Sequence, residues 1–348
     1  MVISTSDSGT RRRRSQTLLP GSLILLLATA VAGGCESAEP AGRTPGPGLM
    51  SAPGRLVDVG GFRLHLFCAG TGRPAVIIET GLGDHMASWM AVQEAAAQRT
   101  QVCAYDRAGA GWSENDPEGR TLERMVRRAR TALRESGVEG PYVLVGHALG
   151  GLLVRRFASE HPELVGGLLL VDSAHENQMR HVPEGMVAAM TTGHARQRFC
   201  RIDAPLTLVR APGLINAYVP VLAPENLRPM HAAAIQDTRY CATARDEARV
   251  FAAAAGQPEP PETLGDLPLL VLTAGRGMRV DPDLVASGVP MEALTRWDAA
   301  WLDLQADLAT LSTSSEHRTI ADAGHYVHID RPDAVVAAIA DLAARAQR

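Results

Sequence analysis

Residues 142–151 constrain the fold of this 348-residue chain more than any other stretch. Residues 142–145 form an apolar run typical of a buried strand, and Gly-His-Ala-Leu-Gly-Gly follows at once. Gly146 and Gly150 flank Ala148, with one residue between on each side. A sharp turn from strand to helix needs small residues at both positions, because a Cβ there would clash with the neighbouring strand and helix. The pattern therefore predicts a strained strand–turn–helix with Ala148 at its tip.

Strand-like and helix-like segments alternate on both sides of this turn. Four short apolar runs are typical of strands covered on both faces: residues 75–79, 101–105, 165–171 and 267–272. Residues 55–68 alternate as a hairpin does around Gly60-Gly61. The alternation predicts an α/β fold, with a doubly wound, mostly parallel sheet of about eight strands and ligands at the carboxyl ends of the strands.

The alternation breaks down between residues 174 and 262. Prolines, methionines and short alanine-rich helical pieces replace it, which predicts an inserted helical cap at 174–262. The α/β core is then made of residues 54–173 and 263–348. Residues 36–53 are rich in Pro, Gly, Ala and Ser and predict a flexible linker before the core.

Residues 1–35 have the features of an export signal. Four arginines at 11–14 precede an apolar segment at 18–32, and small residues follow. A retained membrane span is disfavoured because a proline and a glycine interrupt a segment shorter than the roughly 20 residues that a span needs. The sequence Ala-Gly-Gly-Cys ending at Cys35 also resembles a bacterial lipobox. We expect an exported protein, extracellular or in the cell envelope, and two outcomes stay open: a membrane contact through a lipid anchor at Cys35, or plain secretion.

The net charge and the cysteine content limit which partners, metals and disulfides the chain is expected to have. A net charge of −4 gives no reason to expect nucleic acid. The cysteine and histidine spacings match no metal or redox site, so the sequence predicts no metal and no cofactor. Cys200 and Cys241 share the predicted cap and are the candidates for a disulfide in an oxidising compartment. The alternative is four free thiols, with Cys68 and Cys103 as the other two.

Four motifs follow predicted strands in a fixed order. They are Thr80-Gly81-Leu82-Gly83, Asp106-Arg107-Ala108-Gly109-Ala110-Gly111 with Ser113, the turn at 146–151, and Gly324-His325. In this order and spacing, over roughly residues 54–345, the chain resembles the α/β-hydrolase superfamily. The resemblance implies that residue 148 occupies the nucleophile elbow.

The resemblance also implies an acid–base pair. The family uses an elbow serine, a histidine after the last strand as base, and a carboxylate that orients the histidine. His325 matches the histidine. Two places for the carboxylate stay open: Asp281 or Asp283 after the strand at 267–272, and Asp172 at the end of the preceding strand.

Backbone groups complete the implied site. The N–H groups of Leu82 and Leu149 match the positions that form the oxyanion hole in the family, which needs no particular side chain. Gly81 and His147 lie in the same two turns and are further candidates for oxyanion or ligand contacts.

Ala148 departs from the family pattern, because alanine has no nucleophilic atom and no acyl-enzyme can form on it. Three explanations stay open: an engineered trap that holds substrate, a degenerate member that binds without turnover, and a hydrolase in which His325 activates water directly. Some aminoacrylate and carbamate hydrolases of the superfamily resemble this chain in carrying alanine there. Ser173, at the end of the adjacent strand, is an alternative nucleophile.

The expected ligands are small, uncharged or weakly polar esters, amides or lactone-like molecules, which suit a covered apolar pocket. We expect a hydrolase with weak or water-mediated catalysis. The alternative is a catalytically inactive homologue that acts as a ligand-binding or sensing module. Only the first has an activity that depends on His325.

Overall fold

The computed structural model describes residues 52–186, 228–235, 239–254, 263–286 and 288–347. The chain divides into two units, Met1–Thr44 and Pro45–Arg348, and all of these residues belong to the second. The predicted export signal and nearly all of the predicted linker lie outside the described residues. No helix within the described ranges is long and apolar enough to cross a membrane.

A single eight-stranded sheet forms the centre of the described unit, in the order β1-β2-β4-β3-β5-β6-β7-β8. The strands are β1 (Arg55–Asp58), β2 (Arg63–Ala69), β3 (Ala75–Glu79), β4 (Val102–Tyr105), β5 (Tyr142–His147), β6 (Val165–Val171), β7 (Leu269–Ala274) and β8 (Ser315–Ile320). β2 pairs antiparallel with β1 and β4, and the other pairings are parallel. The predicted α/β class and mostly parallel sheet are confirmed.

Helices cover both faces of this sheet. They are α1 (Met90–Ala96), α2 (Leu122–Ser136), α3 (Leu149–Glu160), α4 (Arg228–Ile235), α5 (Tyr240–Ala254), α6 (Pro282–Ala286), α7 (Met291–Ala309), α8 (Val327–Asp330) and α9 (Pro332–Arg345). α2, α3 and the end of α7 share one apolar core with Ile77 and Leu144. α1 and α9 share the other with Val76 and Val143. Successive strand residues point to opposite faces, so fully apolar strands supply both cores, and the doubly wound arrangement is confirmed.

Local sequence signals set the two ends of α2. The side chain of Thr121 accepts a hydrogen bond from the Arg124 N–H at 3.2 Å and caps the start of α2. Gly137 ends the same helix with φ +72°, a left-handed conformation that glycine adopts at little cost. α2 therefore spans Leu122–Ser136.

Two helices, α4 and α5, lie within the predicted cap. α5 contacts the loops that follow β3 and β4: the Tyr240 hydroxyl donates to the Gly83 carbonyl at 3.1 Å. The Thr243 hydroxyl donates to the Gly109 carbonyl at 3.0 Å. This helix therefore lies over the carboxyl edge of the sheet, where the sequence predicts ligands.

A disulfide joins Cys68 on β2 to Cys103 on β4. The two residues are directly opposite each other in the antiparallel register, with Cα atoms 4.0 Å apart. The alternative of four free thiols is therefore wrong. The sequence did not reveal this pair because it did not show which strands are neighbours. Cys241 is also disulfide-bonded, and Cys200, its predicted partner, lies outside the described residues.

We expect replacement of Cys68 and Cys103 together by alanine to lower the free energy of unfolding by about 3–4 kcal/mol, because the bond closes a loop with a sequence separation of 35 residues. Urea unfolding of the oxidised wild type and the double variant measures the difference. Reductant should shift the wild type further than the variant. Equal unfolding free energies for the two oxidised proteins would contradict the prediction.

Candidate active site

The elbow has the tight geometry that its glycines predict. Ala148 sits between β5 and α3 with φ +47° and ψ −118°, a conformation that side-chain-bearing residues rarely adopt. A Cβ on Gly150 would lie 2.3 Å from the Glu79 carbonyl oxygen at the end of β3. A Cβ on Gly146 would lie 2.6 Å from the Gly150 carbonyl oxygen. The chain therefore keeps a strained turn that presents residue 148, although that residue carries only a methyl group.

His325 and Asp172 form a hydrogen-bonded pair beside the elbow. His325 Nδ1 lies 2.7 Å from Asp172 Oδ2. The other carboxylate oxygen accepts from the backbone N–H of Ala274 at 3.0 Å and from the indole N–H of Trp301 at 2.9 Å. An ionised carboxylate only accepts hydrogen bonds, so Nδ1 of His325 carries the proton and Nε2 is the basic nitrogen. The His325 side chain is 27% exposed, whereas Asp172 is buried.

Asp172 itself sits in an unusual conformation, with φ +40°. It directly follows β6, and its N–H donates to the Leu272 carbonyl of β7 at 2.7 Å. Backbone and side chain together thus tie the carboxylate to the end of β7. Trp301 lies on α7, and no sequence pattern indicated its hydrogen bond to Asp172.

The structure pairs His325 with Asp172 and places Asp281 in another role. Asp281 lies just before the short helix α6, and its Oδ1 accepts from the Leu284 N–H at 2.9 Å, the bond of a helix cap. The strand before it does end near the site, as the sequence predicted, but the chain turns away through a 3₁₀ turn at Met278–Val280. The side chain of Asp283 lies outside the described set.

Two backbone N–H groups lie next to the tip of the elbow. Leu149 is the first residue of α3, and Leu82 follows Gly81 in the loop after β3. A Cβ on Gly81 would lie 3.5 Å from Ala148 Cβ, so this loop borders the tip directly. Within the described part of the chain, neither the Leu82 nor the Leu149 N–H donates a hydrogen bond. The arrangement is therefore suited to receive a carbonyl oxygen.

His147 supports His325 from within the core. It is buried, and its Nε2 lies 2.9 Å from the backbone carbonyl of His325, which can only accept. Burial lowers the pKa of His147 well below its ordinary value, and the neighbouring His325 and His328 lower it further. The ring is therefore neutral, with its proton on Nε2. The sequence named His147 as a candidate for oxyanion or ligand contacts, and that role stays a prediction; the contact the structure shows is the one to the backbone of His325.

Three buried groups near the elbow are of types that bind metal ions. Asp84, His147 and His328 place one ligand atom each within 4.8 Å of the others. The three residues are far apart in the sequence, so no spacing could have indicated them. The Asp84 carboxylate already accepts from the Ser88 hydroxyl at 2.7 Å, and the His328 ring stacks on Trp89 at 4.1 Å. These packing contacts account for the burial of the Asp84 and His328 side chains.

Ser173, the alternative nucleophile, is buried, and its hydroxyl donates to the Ala174 carbonyl at 3.0 Å. A Cβ on Gly151 would lie 1.9 Å from the same hydroxyl oxygen. The serine thus packs beneath α3. The structure gives no support to an attacking role for it.

A buried charge cluster behind the Leu82 loop was missed by the sequence reasoning. Arg107 lies between Glu79 and Glu247, with 2.7 Å contacts to each. Burial raises the pKa of Glu79 to about 7, against the opposing effect of the Arg107 charge. Burial alone would lower the pKa of Arg107, but the two carboxylates hold it above its ordinary value. The motif containing Arg107 was noticed in the sequence, but its partner on α5 is 140 residues away.

The comparisons agree with this fold. Residues 75–338 match the model of the Alpha/beta hydrolase family, and the chain belongs to that family. The "Putative carbamate hydrolase RutD" of Cronobacter turicensis is 37% identical over 102 residues, 29% of this chain and 38% of that protein. The uncharacterized protein YbdG of Bacillus subtilis is 25% identical over 126 residues, 36% of this chain and 39% of that protein. The matched stretch thus spans less than half the length of either relative.

Solved structures with the same fold cover more of the chain. The enol-lactonase of Burkholderia xenovorans is 19% identical, with a TM-score of 0.55, over 83% of this chain and 99% of that one. The thermophilic esterase of Thermogutta terrifontis is 21% identical, with a TM-score of 0.54, over 84% of this chain and 99% of that one. At these identities the likeness shows the shared fold.

The pKa of Glu79 predicts a pH-dependent stability. The folded carboxyl binds its proton up to about pH 7, whereas the unfolded one releases it near 4.5. Its contribution to the free energy of unfolding should therefore fall as pH rises from about 4.5 to 7, by at most on the order of 3 kcal/mol. Urea unfolding of Glu79→Gln at pH 5 and pH 8 should show a smaller loss than the wild type. The exposed Glu139→Gln is the control, and parallel curves for all three proteins would refute the prediction.

Proposed function

We propose that the protein is a hydrolase in which the His325–Asp172 pair activates a water molecule against a small ester, amide or carbamate. The observation that carries this proposal is the intact, hydrogen-bonded acid–base pair beside an elbow whose tip is Ala148. The machinery for taking up and returning a proton is present at a site that has no hydroxyl of its own at residue 148.

The step requires no group beyond these residues and water. Asp172 accepts the Nδ1–H of His325, so Nε2 accepts a proton from water as the water oxygen bonds to the substrate carbonyl carbon. The carbonyl oxygen becomes an oxyanion and accepts hydrogen bonds from the N–H groups of Leu82 and Leu149. When the tetrahedral intermediate collapses, the bond to the leaving group breaks and His325 returns its proton to that group.

The rate enhancement that such a site can reach limits which substrates it can hydrolyse. Removing the nucleophile of a serine hydrolase costs roughly a million-fold, and the rest of the site retains roughly a thousand-fold over water. A site of this kind therefore serves substrates that hydrolyse readily. The match to a protein named as a carbamate hydrolase, over part of its length, favours activated carbamates as the first compounds to test.

A second candidate function is ligand binding without turnover. The absence of a nucleophile at Ala148 favours it, because the N–H groups of Leu82 and Leu149 would hold a carbonyl compound whether or not water attacks. The two functions differ in their dependence on the basic nitrogen of His325.

We propose that the protein is exported. Support comes from the arginine run at 11–14 with the apolar segment at 18–32, and from the Cys68–Cys103 disulfide, a bond typical of oxidising compartments. Lipidation of Cys35 and plain secretion are the two forms that this proposal takes.

We expect His325→Gln to lower kcat/KM for activated aryl esters and carbamates at least about a hundred-fold, because the variant has no basic ring nitrogen. Asp172→Asn should lower it by a comparable factor, since it favours the wrong tautomer of His325. His161→Gln, a change at the far end of α3, is the matched control and should retain wild-type activity. Ligand binding by the wild type with no turnover would support the binding function instead.

We expect Ala148→Ser to create a reactive serine, because the elbow geometry and the acid–base pair are already in place. The variant should be labelled once by an aryl fluorophosphonate, as read by intact-protein mass spectrometry, whereas the wild type should stay unlabelled. Ala148→Ser with His325→Ala should react far more slowly. An unlabelled Ala148→Ser protein that is folded by circular dichroism would show that the site lacks more than its serine.

A further inference from the structure

Arg107 contacts the loop that carries the Leu82 N–H. The residue is 3% exposed, and its guanidinium donates to two successive carbonyl oxygens of that loop. The distances are 2.7 Å from Nη1 to the Thr80 oxygen and 2.6 Å from Nη2 to the Gly81 oxygen. A buried arginine thus hydrogen bonds directly to the backbone of the loop.

The second of these bonds fixes the direction of the Leu82 N–H. The carbonyl of Gly81 and the N–H of Leu82 belong to one planar peptide unit, in which the two groups point in opposite directions. Because Arg107 holds the carbonyl, the N–H must point away from Arg107. Rotation of this peptide would break the bond and leave a buried guanidinium donor without its acceptor, which is costly.

Glu247 on α5 holds the arginine and the next part of the loop together. Its Oε1 accepts from Arg107 Nε at 2.7 Å, and its Oε2 accepts from Arg107 Nη2 at 2.9 Å. The same Oε2 also accepts from the Gly83 N–H at 2.7 Å. Leu82 is therefore held on both sides, and Glu247 has no exposed surface.

We infer that Arg107 and Glu247 are positioning residues that set the oxyanion hole, and that they couple its geometry to helix α5 of the cap. The inference rests on the proposed function, because it concerns the same oxyanion hole. It adds that the cap does more than cover the site: through Glu247 it determines where one of the two N–H donors points. A shift of α5 would release the peptide that precedes Leu82.

Calorimetry at neutral pH tests the inference by measuring how tightly two small molecules bind to the full-length protein. Phenyl methylphosphonate is a tetrahedral anion that resembles the proposed intermediate, and acetanilide is its neutral planar counterpart. Glu247→Gln loses one acceptor, since an amide has a single oxygen. Arg107→Lys keeps the charge but loses the planar fork that reaches both Glu247 and the loop.

Both variants should bind the phosphonate at least about tenfold more weakly and acetanilide within about threefold of the wild type. The direction of the change in affinity is diagnostic for Glu247→Gln. Loss of a negative charge would, by Coulomb attraction alone, strengthen binding of the anion. Weaker binding therefore indicates that the Leu82 N–H is no longer aligned with the anion. Asp246→Asn is the matched control, because Asp246 is the adjacent residue of α5 and pairs with Arg120 at 3.1 Å. It should leave both affinities unchanged.

The outcomes distinguish the positioning role of Arg107 and Glu247 from the proposed hydrolase function. If the wild type prefers the phosphonate and Glu247→Gln keeps that preference, the positioning role is overturned and the proposed hydrolase stands. If the wild type binds the phosphonate no better than acetanilide, no oxyanion hole exists and both are overturned. If circular dichroism shows that Arg107→Lys does not fold, the result for Glu247→Gln decides whether the positioning role holds. Tyr240→Phe is a milder second variant, which removes the hydrogen bond to the Gly83 carbonyl.

Discussion

The close approach of α3 to the end of β3 is the constraint on which the site depends. Gly150 lies so near the Glu79 carbonyl that a single added carbon would collide with it. This contact fixes where α3 begins and holds Ala148, the residue before the helix, in its strained conformation. The same strand end carries the Glu79 side chain, which anchors Arg107. The end of β3 therefore contacts α3, which begins with Leu149, and also Arg107, which hydrogen bonds to the loop that carries Leu82.

The acid–base pair is held as firmly as the elbow. Asp172 has three hydrogen-bond donors from separate parts of the chain, and His147 supports the backbone of His325. A buried carboxylate that serves only stability would be a costly residue to retain, because taking the charge out of water must be offset by its partners. A network that ties Nδ1 of His325 to Asp172 and leaves the His325 side chain 27% exposed is suited to proton transfer. This is why we favour water activation over simple binding.

The sequence predicted the elements that depend on local pattern. Apolar runs indicated the strands and the two glycines indicated the elbow, whereas the role of His325 as base came from the resemblance to the α/β-hydrolase superfamily and stays a prediction. It left Asp172 and Asp281 open, because both follow strands and only the turn at Met278–Val280 directs Asp281 into a helix cap. Contacts between distant residues could not be predicted: the Cys68–Cys103 bond needs the strand order, and the Arg107–Glu247 pair needs the position of α5 over the sheet.

The most direct test of water activation is pre-steady-state hydrolysis of an activated aryl ester by the wild type, with intact-protein mass recorded during turnover. We predict a progress curve that is linear from the start and a protein mass that stays unmodified, because no residue forms an acyl intermediate. A burst of one equivalent with a matching gain in mass would contradict this claim and would place a covalent nucleophile elsewhere in the chain. The complete absence of turnover with activated esters and carbamates would contradict it as well and would favour the binding function.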